Sequence, residues 1–186
     1  TQSNIALGSN ALKELIGNNS YNTNESDTGD SNIAIGHNAL TALKANGNNT
    51  YIGARNIAIG HESIKSLVAD TNNSQTGYSN IGIGYKTLSS LVGNETKSQD
   101  SIAIGSQALT NATSADRNIG IGTDALRSVT TGVENIGLGY RAAGNFSSDI
   151  KAGSYNTLLG SNAGVNNESS QNRIVIGYNA NGNHDN

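Results

Sequence analysis

The sequence contains no cysteine, no methionine and no tryptophan, and a single phenylalanine among its 186 residues. Without cysteine, disulfides, thiolate metal sites and cysteine nucleophiles are excluded together. Without methionine, Thr1 is not a translational start, so the chain reads as a mature product or a piece cut from something longer. The lack of cysteine also fits a virion-surface, extracellular or cell-surface protein that dispenses with redox staples. Aromatic residues are 4% and hydrophobic residues 34% of the chain. That is too little of the bulky side chains that fill an ordinary globular core of this length. Charge is scarce too, at 13% with a net value of −3, so amides and hydroxyls must provide solubility. Lys and Arg do not cluster as a nucleic-acid partner would require. No apolar run is long enough to span a bilayer, so this segment is not expected to insert into a membrane, and no signal peptide is visible.

What the chain has instead is repetition. Nine units align on a closing glycine, from NIALGSNAL at Asn4–Leu12 to RIVIGYNAN at Arg173–Asn181. The glycines are Gly8, Gly36, Gly60, Gly84, Gly105, Gly122, Gly139, Gly160 and Gly177. Their spacings run 28, 24, 24, 21, 17, 17, 21 and 17, so the minimal unit is 17 residues and the longer ones carry inserts. Such a period marks a stacked repeat architecture, and residues 1–186 read as one repeat domain.

Each position of the unit has a physical reading. Ile33 and Ile35 alternate with the small Ala34, as do Ile57 and Ile59 around Ala58, which is a strand with one apolar face. The Ile columns, Ile104 included, are expected to face an interior. The small middle residue is expected to admit the close approach of another backbone. Gly36, Gly60 and Gly105 are expected at corners with positive φ, or where a Cβ would clash. The leading Asn, as in Asn32 and Asn56, occurs in seven of nine units. Stacking would place those amides in a ladder that also offers the backbone a local partner. After the glycine the apolar residues fall at i and i+3, as in Leu40 and Leu43 or Leu88 and Leu91. A short helical turn and a second short strand both account for that spacing. The linkers, such as Gly17–Ser31, are rich in Asn, Ser and Thr and read as exposed loops that lengthen toward the N-terminus. The fold expected is all-β or mainly β: a β-solenoid or β-roll of nine strand-turn repeats, with short helices in the longer units as the open alternative. One thin coil has little to bury, so self-association as a homotrimer is expected.

NIAIGxxAL units separated by Asn/Gly/Ser-rich spacers resemble the repeats of bacteriophage tail fibres that precede a C-terminal self-cleaving chaperone. They are also similar to the head repeats of YadA-like trimeric autotransporter adhesins. The long uneven units and the AL second half stand nearer to the tail-fibre pattern, and the closing RIVIGYNANGNHDN is similar to the stretch before such a chaperone. The resemblance implies a trimeric β-roll or β-helix and attachment to a host surface through a glycan or protein, as tail-fibre shaft or receptor-binding region. The head of a bacterial adhesin is the alternative. An ice- or surface-binding solenoid ranks below both, because Thr is irregularly placed.

Few residues suggest chemistry. His37 and His61 hold equivalent positions after the glycine and are the candidate metal ligands, weighed against a tolerant surface position. The same column holds Tyr85, Tyr140 and Tyr178, candidates for receptor contact by stacking on sugar rings. The GxG strings lack the full G-x-G-x-x-G context with its following helix and acidic residue, and no carboxylate pair suggests acid and base roles. No enzyme activity and no cofactor are expected.

Overall fold

In a computed structural model the described residues are 3–17, 29–45, 53–69, 76–93, 98–114, 116–144 and 150–182. Nine short strands follow one another in a single parallel sheet. They are β1 (Ile5–Leu7), β3 (Ile33–Ile35), β5 (Ile57–Ile59), β7 (Ile81–Ile83), β8 (Ile102–Ile104), β9 (Ile119–Ile121), β10 (Ile136–Leu138), β11 (Thr157–Leu159) and β12 (Ile174–Ile176). A second sheet, of three strands, joins β2 (Ile16–Gly17), β4 (Lys44–Ala45) and β6 (Val68–Ala69). The chain is an all-β solenoid with no helix among the described residues. Register places like on like: Ile33 on Ile57, Ala34 on Ala58, Ile35 on Ile59. Most of the long N-terminal loops expected to carry recognition lie outside the described residues.

The i, i+3 spacing of the leucines comes from turns, not helix. In the second half of each unit the backbone folds into consecutive β-turns, such as Ala39 N–H to Gly36 O and Leu43 N–H to Leu40 O, both 3.4 Å. Asn38 (φ 57°) and Leu40 (φ 47°) are left-handed within them. A left-handed leucine is sterically unfavourable. It is offset here because it aims the side chain inward: Leu40, Leu88, Leu109 and Leu126 are all fully buried. The turns also bond to the next coil, as in Leu40 N–H to Ser63 O at 3.1 Å.

One expectation is reversed. The residues lining the coil's own interior are the small middle ones, Ala34, Ala58 and Ala103, each fully buried. Ile33, Ile35, Ile57, Ile59 and Ile104 point to the other side of the sheet and stay partly accessible. The coil is thin, so the sheet packs directly on the leucines of the turns. At Gly137 a Cβ would lie 2.7 Å from Leu126 Cγ, which leaves no space for any larger residue.

Gly36, Gly60 and Gly105 meet both expectations made of them. Gly36 has φ 132°, and a Cβ there would lie 2.6 Å from the carbonyl oxygen of Gly60 in the next coil. The leading asparagines form the ladder. Asn56 donates its backbone N–H (2.8 Å) and its side-chain amide (3.2 Å) to Oδ1 of Asn32. Its amide also reaches the carbonyl of Gly77 at 2.9 Å. These amides are fully buried from Asn32 to Asn156, so their bonds satisfy groups that water cannot reach. At Ser101 the hydroxyl takes over, accepting from the N–H of Asn118 at 3.2 Å.

Candidate functional site

Parallel in-register stacking turns each position of the unit into a column along the solenoid. Two of these columns run down the outer face of the nine-stranded sheet. One passes through Ile33, Ile57, Ile81, Ile102, Ile119 and Ile136, and the other through Ile35, Ile59, Ile83, Ile104, Ile121 and Leu138. Of the outward positions in the nine strands only Thr157 is polar. Among the described residues nothing covers the face fully: Ile83 is 36% exposed, and at the last strand Ile174 is 76% exposed. With eight strand spacings the apolar ridge is about 38 Å long.

A second column begins one residue past the glycine corner. His37 and His61 stack there with ring centroids 5.0 Å apart, and Tyr85 continues the stack at 5.5 Å from His61. The two imidazoles lie nearly face to face, with their planes 22° apart. Among the described residues no group of three His, Asp or Glu side chains gathers around a common centre. The structure therefore brings His37, His61 and Tyr85 together as a ring stack. It sets Tyr140 and Tyr178 farther along the same column, separated by Ser161.

The next position carries complementary pairs on successive coils, which inspection of single residues missed. Asn10 donates to Asn38 at 3.0 Å, Glu62 pairs with Lys86 at 3.6 Å, and Asp124 pairs with Arg141 at 3.6 Å. The signal was present in the aligned units, where opposite charges fall at one position in consecutive copies. A hydrogen bond from Lys65, with the nearby Lys86, holds the Glu62 carboxyl below its ordinary range. Lys86 also lies 5.2 Å from the centroid of Tyr85, and Arg141 lies 5.0 Å from that of Tyr140, both within cation–π range.

The two buried carboxylates are tied into the scaffold. Asp124 is held by Arg127 and Arg141. Asp116 accepts the N–H of Gln99 at 3.0 Å and pairs with Arg117. The guanidinium of Arg117 bridges onward to Glu134 at 2.7 Å. The Arg117–Glu134 pair links successive coils one residue before the leading asparagines Asn118 and Asn135.

The arrangement offers surfaces for association: a long apolar face, and a ring-bearing column beside a column of matched charges. No protein-family model, no curated protein and no solved structure matches this chain.

Proposed function

We propose that this chain is a segment of a homotrimeric surface fibre, the shaft or receptor-binding region of a phage tail fibre, with a structural and adhesive role. The observation that supports this reading is the outer face of the nine-stranded sheet. Its two aliphatic columns are unbroken except at Thr157 and stay partly or largely accessible among the described residues. A contiguous apolar ridge of that length is rare on a monomer and marks an association surface. Because every rung repeats the one before it, parallel copies set around a common axis meet like with like along the whole length. Three copies would enclose the ridges in a shared core and leave the ring column outside it.

Light scattering on the purified chain tests the assembly. The expected mass is three times 19.1 kDa, and a stably folded single chain overturns the proposal. Attachment is tested by binding of the labelled protein to intact bacterial cells. Two variants divide the surface: one replaces Asn18–Asp30 by a short Gly/Ser turn, and the other changes Tyr85, Tyr140 and Tyr178 to Ser. Loss of binding in either variant locates recognition on this segment. Unchanged binding in both makes the segment a shaft alone.

A further inference from the structure

At its C-terminal end the column past the glycines places a small hydroxyl side chain between two wide rings. Tyr140 and Tyr178 stand two coils apart with Ser161 between them. Their strands pair in register, Leu138 on Leu159 and Leu159 on Ile176. Two strand spacings separate the ring positions by about 9.5 Å. Both rings are accessible, 45% exposed at Tyr140 and 76% at Tyr178. The stacking of His61 on Tyr85 indicates that rings in this column lie across the stacking direction. Arg141 covers one face of Tyr140, and its bridge to Asp124, one coil back, keeps it on the Thr123 side. The Tyr140 face toward Ser161 is left to the slot between the two rings.

We infer that Tyr140 and Tyr178 sandwich one pyranose ring of an all-equatorial sugar, of the β-glucopyranosyl class, with the Ser161 hydroxyl as a polar partner between them. The inference rests on the adhesive reading in taking a surface glycan as the ligand. Spacing sets the thickness of the guest. A flat ring between two flat faces needs about 7–8 Å at ordinary carbon contact distances, so a planar base would rattle in this slot. A chair is puckered and carries axial hydrogens on both sides, which fills the remaining space. Polarity sets the stereochemistry. Aromatic faces are electron-rich and favour C–H hydrogens over oxygen lone pairs. A pyranose with all its hydroxyls equatorial presents only C–H hydrogens, and no axial oxygen, to both faces. An axial hydroxyl, as at C4 of galactose, places an oxygen against one ring. The wider interval between Tyr85 and Tyr140 spans three strand spacings, about 14 Å, and cannot grip a single ring.

The test is an NMR titration of the assembled protein with methyl β-D-glucopyranoside, following saturation transfer and the tyrosine shifts. Saturation is expected on H1, H3 and H5 and also on H2 and H4, because both sugar faces meet a ring. Losing one ring by Tyr140→Ser or Tyr178→Ser should weaken binding about tenfold, and Tyr155→Ser, at an exposed tyrosine outside the column, should leave it unchanged. Methyl β-D-galactopyranoside should bind more weakly than the glucoside. Failure of the parent protein to bind the glucoside overturns the inference, as does unchanged binding in Tyr178→Ser or equal binding of the galactoside. Cell attachment is measured on the same samples. A parent that adheres without binding the glucoside overturns the slot and leaves the adhesive reading standing. A parent that binds the glucoside and does not adhere overturns the adhesive reading alone.

Discussion

Asn135 donates twice to the same atom of Asn118: its backbone N–H lies 2.9 Å from Oδ1 and its side-chain amide 3.1 Å. The amide's second hydrogen reaches the carbonyl of Gly153 at 2.8 Å. Its own oxygen then accepts both the N–H and the amide of Asn156. One buried side chain thus closes polar groups on three successive coils. Replacing Asn135 by Ala should leave several of those groups unpaired and cost on the order of 3 kcal/mol. Urea unfolding measures it. A loss below about 0.5 kcal/mol, the scale of an ordinary surface change, would mean the ladder is incidental.

The closing glycines carry two separate constraints, and the structure allows them to be divided. Gly36 and Gly177 share a positive φ, 132° and 129°. At Gly36 a Cβ would strike the Gly60 carbonyl, whereas at Gly177 it would meet only Ala180 Cβ at 3.6 Å. Gly177→Ala should therefore show the backbone strain alone, about 1–3 kcal/mol. Gly36→Ala should cost clearly more and disturb the sheet. Equal melting temperatures for the two variants would remove the steric half of the explanation.

The glycine at the middle of β7, where β3, β5 and β8 carry alanine, has a local cause that can be measured as coupling. Ser63 and Thr87 bond to each other at 2.8 Å, and Ser63 also donates to Gly82 O at 2.9 Å. A Cβ at position 82 would lie 2.6 Å from Ser63 Oγ and 2.8 Å from Thr87 Oγ1. Gly82→Ala alone should destabilise. In the background Ser63→Ala with Thr87→Ala, matching the alanines of the other units, it should cost clearly less, with Ile64 Cγ1 at 2.9 Å as the remaining contact and a coupling energy of about 1–3 kcal/mol. Simple additivity in a thermal-unfolding cycle would refute the steric link.

Much of this was legible in the repeat because the chemistry of single residues demanded it. A glycine in every copy implied a corner, and a leading asparagine implied an amide ladder. The direction of the isoleucines was not legible. Period-two alternation says that Ile33 and Ile35 share a face and Ala34 takes the other, but not which face is the chain's own interior. The leucines of the turns decide that, by lying so close beneath the sheet that only Ala or Gly fits at most coils. The spacing of Leu40 and Leu43 was ambiguous for a related reason. A β-turn brings residues i and i+3 together much as a helical turn does. Ring stacking followed once like positions were stacked, whereas the slot between Tyr140 and Tyr178 depends on the rung spacing as well.

The outward isoleucine face bears most directly on the account. Ile104 lies mid-ridge on the outer side of β8 and Gln107 lies beyond the glycine corner, so the two positions report on different surfaces. Ile104→Asp leaves the coil's own core untouched but would place a charge in the apolar centre of each assembled copy, where it has no partner. The decisive measurement is the light-scattering mass of Ile104→Asp beside the parent and Gln107→Asp. The parent and Gln107→Asp should give three times 19.1 kDa, and Ile104→Asp a single chain. A trimeric mass for Ile104→Asp, or a folded monomeric parent, would contradict the assignment of this face to assembly.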